Sequence, residues 1–261
     1  MRRLFLLLLA LCVGTAGWLF RDDLRAAWVW YGAWRVGGSK VAVKESRDPR
    51  PDRETYEAMK RDLERWRLAL QKRHKSARNP EERRAVERDA RVLLESVLPE
   101  MMRCWLGTPW DFNGTASGPG PEPVACGYFV STVLLDAGFR LDRYRMAQQP
   151  SSRILTSLIP KETCRLLVDL PYERFVGEVG GMPSGVYLLG LDTHVAFLVI
   201  REGEFRFIHS SGSRPWRVVD EACAEAKVLR ESRWRMLGNL TADEALLRKW
   251  LAREEIRVRT S

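Results

Sequence analysis

The chain has 261 residues, 45% of them hydrophobic and 30% charged, with a net charge of +9 from 43 Lys and Arg against 34 Asp and Glu. That length and apolar content suit one sizeable folded domain with extensions and exclude a chain disordered throughout. The basic balance favours anionic polymers, but no zinc-finger spacing, aromatic RNA-binding strand motif or basic zipper accompanies it, so a nucleic-acid partner is not expected.

The chain opens with Arg2 and Arg3, runs without charge from Leu4 to Phe20, and resumes with Arg21, Asp22 and Asp23. A positive start before a short apolar run is an export signal, which predicts that the remainder lies in the periplasm or cell envelope. Two fates stay open for residues 1–22. Gly14-Thr15-Ala16 offers a small-residue cleavage site. The apolar run continues through Trp18, Leu19 and Phe20, however, and as a helix of roughly 25 Å it suits an uncleaved inner-membrane anchor through residues 4–20. Cys12 follows Leu11, a poor match to the small residue that lipoprotein processing needs. Beyond the run, Trp28, Trp30, Tyr31 and Trp34 suit either a membrane interface or packing on the domain.

Residues 23–100 read as a helical extension. Arg47 to Asp52 forms a linker or turn. From Glu54, Tyr56, Met59, Leu63, Trp66 and Leu70 recur at spacings of three and four, the stripe of an amphipathic helix. Asn79-Pro80 supplies an N-cap and a first-turn proline for a second helix through Val86, Leu93, Leu94 and Val97, with Pro99 expected to interrupt it. A helical hairpin results, and His74, within Lys72-Arg73-His74-Lys75, is expected to be solvated.

Residues 101–261 carry the candidate chemistry. A loop rich in Gly and Pro, Gly107 to Pro123, leads into a helix beginning at Cys126 that Gly138 can terminate. Strands are predicted at Gly185 to Leu191, His194 to Ile200, Phe205 to Ser210 and Trp234 to Leu240. Thr241 and Glu244 form a capping box for a last helix reaching about Arg253. If Glu202-Gly203 centres an even-residue hairpin, His194 lies opposite Ser211 and His209 falls on the same face; an odd-length loop without a bulge puts the imidazoles on opposite faces.

The five cysteines include Cys12. None of Cys104, Cys126, Cys164 and Cys223 sits at zinc-site spacing, so neither a metal nor a cofactor is expected. Cys104 and Cys164 read as small buried hydrophobes. Cys126 differs because a helix N-terminus favours its thiolate, and two imidazoles follow on adjacent strands.

Taken in order, several segments resemble the NlpC/P60 cysteine peptidases of bacterial cell walls. Leu106 to Gly114 (LGTPWDFNG) is similar to the family's opening motif, Ala125 to Phe129 (ACGYF) to its nucleophile motif, and Tyr144 to Gln148 (YRMAQ) to the segment after that helix. Ser184 to Leu189, His194 to Leu198 and Phe207 to Ser211 (FIHSS) match the strands carrying its histidines. The resemblance implies a papain-like α+β domain with a small antiparallel sheet packed by helices. It also implies a triad in which Cys126 is the nucleophile, His194 the general base and acid, and His209 the residue that orients His194. The backbone N–H of Cys126 is a donor for the oxyanion. The chain departs from the family's Asp-Cys-Ser-Gly through Ala125, Gly127 and Tyr128, and Trp110 lacks the hydroxyl of the usual tyrosine. These changes bear on specificity more than on hydrolysis.

The expected function is an exported cysteine amidase or endopeptidase acting on peptidoglycan peptides or a related envelope substrate. Two alternatives stay open: a catalytically silent envelope binding or scaffold module, and a thiol hydrolase or acyltransferase acting on a different amide. Arg143 and Gln148 either bind substrate or pair on the surface, and Tyr128, Phe129 and Val130 read as helix core.

Overall fold

The structure, a computed structural model, describes residues 49–259; the export signal, membrane anchor and aromatic cluster expected upstream lie outside those residues. The first helix, α1 (Arg53–Ser76), is capped by Asp52, whose side chain accepts from the Thr55 N–H at 2.9 Å. The second, α2 (Pro80–Arg103), is capped by Asn79, which accepts from the Glu82 N–H at 2.8 Å, while Glu82 reaches back to the Arg78 N–H at 2.7 Å. Asn79→Ala is expected to cost about 1 kcal/mol in urea unfolding, because the first-turn donors lose their acceptor.

Pro99 does not interrupt α2, which continues to Arg103. Proline removes the N–H that the Glu95 carbonyl would otherwise receive, and the Arg201 guanidinium donates to that carbonyl at 3.1 Å instead. His74 is not simply solvated either. Its Nε2 lies 3.1 Å from Glu87 Oε1, which Arg248 also contacts at 3.0 Å.

The buried stripes of α1 and α2 belong to the same apolar cluster as the following helix and one face of the sheet. An aromatic chain makes the connection: Trp105 packs edge-on to Tyr56 and to Phe129, both at 5.7 Å, and Phe129 meets Phe197 at 5.9 Å. Such edge contacts add to the burial of each ring. The helical pair is therefore cored together with the catalytic candidate region.

The third helix, α3, is Cys126–Asp136. It is followed by β1 (Arg140–Leu141), α4 (Arg143–Ala147), α5 (Ser151–Leu158), β2 (Arg165–Val168) and α6 (Tyr172–Gly180). Then come β3 (Gly185–Leu191), β4 (Val195–Arg201), β5 (Glu204–Ser210), β6 (Val218–Ala222), α7 (Lys227–Glu231), β7 (Trp234–Asn239), α8 (Glu244–Ala252) and β8 (Glu255–Ile256). Six strands form one antiparallel sheet in the order β2-β7-β3-β4-β5-β6, and β1 pairs in parallel with β8. The sheet thus gains β2 and β6 at its edges beyond the four strands expected. Alternation sends Val195, Phe197 and Val199 toward α3 and sends Ala196, Leu198 and Ile200 toward Phe175 of α6 and Leu229 of α7. The molecule is an α+β fold with helices on both faces of a small antiparallel sheet.

Two local details bear on the site. The β4–β5 turn pairs Arg201 with Glu204, so Glu202 and Gly203 are its two central residues, both at positive φ (51° and 82°). That is the backbone of a tight hairpin whose twist matches its strands, and Gly203 adopts it without steric cost. At α8 the cap is Asp243, accepting from Leu246 N–H at 2.7 Å, rather than Thr241. Thr241 Oγ1 is occupied by Glu95 at 2.9 Å and by the Val186 N–H at 3.1 Å. Among the described residues no helix is long and apolar enough to cross a membrane.

Candidate active site

Cys126 is the first residue of α3, and the chain that delivers it is fixed on both sides. Val124 donates to the Pro109 carbonyl and Ala125 to the Gly114 carbonyl, each at 2.9 Å, and Ser210 of β5 donates to the Val124 carbonyl at 2.6 Å. Arg143 resolves one open alternative. It is buried, with Nε on Thr132 Oγ1 at 2.6 Å and Nη2 on the Thr115 and Ala116 carbonyls at 2.6 and 2.7 Å. Its donors tie the glycine-rich loop to α3, so it serves architecture rather than a substrate. Gln148 donates to the Tyr128 hydroxyl at 3.3 Å. Of the three residues expected as helix core, Phe129 and Val130 are fully buried, whereas Tyr128 is partly buried and packs against the core.

The even hairpin brings the two histidines together. His194 Nε2 lies 2.8 Å from His209 Nδ1, with ring centroids 4.9 Å apart. His209 Nε2 lies 3.0 Å from Glu221 Oε2 on β6. Sequence reasoning missed Glu221, because it sits on an edge strand that only the β5–β6 register, Phe207 against Glu221, brings beside His209. Both rings contact Phe207, on the face turned toward α6.

Cys126 and His194 line one cleft of about 480 Å³, together with Gln149, Ser151, Asp192 and Trp234. The thiol reaches this place around the end of β4, where the Val195 N–H is near enough to favour a charged sulfur. Among the described residues no thiol–imidazole hydrogen bond is present; with His194 Nε2 taken by His209, Nδ1 is the nitrogen left to serve the cleft. A catalytic hydrogen bond commonly tightens only with substrate bound.

Burial governs the protonation of the pair. It pushes the Cys126 thiol above its ordinary value against the pull of nearby backbone N–H groups, and it holds His194 well below its own. The resting site is thiol and neutral imidazole, not the thiolate that a helix start alone suggests. Iodoacetamide is therefore expected to label Cys126 slowly at neutral pH, with a rate that climbs only beyond the ordinary thiol value of 9.0. Labelling that saturates near neutrality, read by peptide mass spectrometry, contradicts this resting state.

The same burial predicts acid sensitivity. His209 is held down to about 3 in the folded chain, whereas an unfolded imidazole titrates near ~6.5. The unfolded state thus binds more protons below about pH 6.5, and stability falls as pH drops through that window, by up to about 1.4 kcal/mol per unit for each buried imidazole. Glu221, pushed up to about 7 by burial, opposes this above the ordinary carboxyl value of 4.5, so the net loss steepens below it. Urea unfolding at about pH 7, 5.5 and 4 checks the slope.

Comparisons with family models, with curated proteins and with solved structures found no match to this chain. The functional reading therefore rests on the site itself and on the resemblance of its motifs.

Proposed function

We propose that the chain is an exported cysteine amidase or endopeptidase of the NlpC/P60 type, with a papain-like arrangement, cleaving an amide bond in peptidoglycan peptides or a related envelope peptide. One observation carries the reading: a cysteine at a helix N-terminus shares a cleft with a histidine whose far nitrogen is held by a second histidine. In the proposed reaction His194 Nδ1 takes the Sγ proton as sulfur attacks the carbonyl carbon, in step because the resting pair is neutral. The oxyanion forms near the Cys126 backbone N–H, a donor at the first helical turn. The imidazolium then protonates the departing amine, and water, deprotonated by the same imidazole, releases the acid from the thioester. His209 keeps the ring of His194 in place. The basic surface suits an anionic wall, and the apolar run at residues 4–20 suits delivery to the envelope.

The test is incubation of the full chain with purified wall-peptide fragments, followed by mass spectrometry. A new amine and acid pair that disappears with Cys126→Ala supports the reading; equal hydrolysis by that variant overturns it. A second reading, a silent binding module, draws on the absence of a thiol–imidazole hydrogen bond among the described residues and on Ala125, Gly127 and Tyr128 in place of the family's motif. It is favoured if fragments bind, by calorimetry, and emerge intact.

A further inference from the structure

The histidine pair does not end at His209. His209 has one ring nitrogen on His194 and the other on Glu221, so three titratable groups form a single file, His194 Nε2 to His209 Nδ1 at 2.8 Å and His209 Nε2 to Glu221 Oε2 at 3.0 Å. A neutral imidazole has one N–H and one lone pair, so a proton assigned at one end of such a file fixes every tautomer along it. An ionised Glu221 accepts from His209 Nε2–H. His209 Nδ1 then carries the lone pair and accepts from His194 Nε2–H, which leaves the lone pair of His194 on Nδ1, toward the cleft. A protonated Glu221 donates to His209 Nε2 and reverses each bond. His209 Nδ1–H then donates to His194 Nε2, and His194 carries its proton on Nδ1, where it can accept none.

We propose that Glu221 is a positioning residue whose ionisation sets the His194 tautomer through His209, and so switches the imidazole between a form that can deprotonate Cys126 and one that cannot. This rests on the cysteine-hydrolase reading for its functional consequence, though not for the tautomer exchange itself.

The surroundings place the exchange where it matters. Glu221 meets His209 from β5, and the charged or titratable groups near it are Arg206 of β5 and Asp220 of its own strand, both turned to the other face, and Tyr172 at the start of α6. Arg206, the nearby cation, spends its Nε on Asp220 Oδ1 at 2.7 Å and its Nη2 on the Asp220 carbonyl at 2.6 Å. Arg103 from α2 takes the other Asp220 oxygen at 2.9 Å. Glu221 is thus left with a neutral imidazole as its hydrogen-bond partner, and burial pushes it up to about 7. Tyr172 donates its hydroxyl to the Cys223 carbonyl rather than to Glu221.

The chain has three histidines, so ¹⁵N-histidine labelling of the full chain gives a tractable spectrum, with His74 identified by substitution. Long-range ¹H–¹⁵N correlation from about pH 5.5 to about 8.5 separates the two neutral tautomers by which nitrogen bears the proton. The expected result is a joint exchange of His194 and His209 from Nδ1–H to Nε2–H with rising pH, at one common midpoint. Glu221→Met, which keeps the length but carries no proton to gain or lose, is expected to abolish that exchange. Tautomers that stay fixed across the range in the wild-type chain, or that exchange unchanged in Glu221→Met, overturn the proposal. Because the wild-type titration stands alone, a variant that fails to fold does not spare it. Activity supplies the second arm: kcat/KM is expected to fall about tenfold per pH unit below the midpoint. Exchange without any hydrolysis refutes the hydrolase reading and leaves the relay intact; hydrolysis without exchange does the reverse.

Discussion

Cys126→Ala is expected to lower kcat/KM on a cleavable wall peptide by at least about a thousandfold, since in the proposed reaction its sulfur is the atom that forms the acyl-enzyme. The side chain is only partly buried at the start of α3, so loss of its sulfur leaves the fold in place and the unfolding midpoint is the control. The more discriminating measurement is the pair. His194→Ala alone is expected to lose nearly as much, and the double variant no more than either single one, because a nucleophile without its base and a base without its nucleophile fail at the same step. Losses that multiply would mean that the two residues act independently, which the shared cleft does not allow.

Gly127→Ala is expected to be the most damaging small substitution near the site. A Cβ at position 127 would lie 2.3 Å from the carbonyl oxygen of Ala147, a backbone atom at the end of α4. To admit it, either α3 or the segment after α4 must move. Overpacking of this kind costs about 1 to 3 kcal/mol. Ala147 and Gly127 both line the cleft, so the displacement falls on the substrate site as well. Gly120→Ala is the matched control, because nothing lies within 4 Å of its added carbon. Urea unfolding of the two variants should differ by at least about 1 kcal/mol; equal midpoints would mean that the close approach of α4 is not maintained in solution. The same clash gives a physical reason for glycine at position 127, because the Ala147 carbonyl occupies the space that a side chain would need.

Much of this arrangement is written in local pattern. The stripe Tyr56, Leu63, Leu70 records α1, and the glycine-proline loop followed by an apolar run records α3. Parity about Glu202-Gly203 suffices to place His194 beside His209, because a two-residue turn fixes which residues share a face. What stayed illegible depends on partners far away in the chain. Pro99 reads as a stop until Arg201, on a strand from another part of the chain, reaches the carbonyl it orphans. Arg143 reads as a surface or substrate cation until three oxygens from α3 and the loop surround it. Glu221, in the short edge strand Val218–Ala222, has no periodic signal to mark it, and its meaning comes wholly from the strand it pairs with. Thr241 shows the converse: a capping motif correct in letters is overridden because Glu95 and Val186 claim its hydroxyl.

His209 and Ser210 are neighbours on β5 and point in opposite directions. The histidine touches His194 on one face, while the serine hydroxyl holds the Val124 carbonyl two residues before the nucleophile on the other. The strand is therefore a two-sided gauge. A single alignment, counted from one tight turn, sets both the seat of His194 beside His209 and the support of the segment that leads to Cys126. One residue added to that turn, unless a bulge absorbed it, would not degrade the site by degrees. It would exchange the two faces, aiming a hydroxyl where the imidazole belongs and an imidazole at the Val124 carbonyl. The length of the Glu202-Gly203 turn is thus as much a determinant of the chemistry as any side chain that takes part in it.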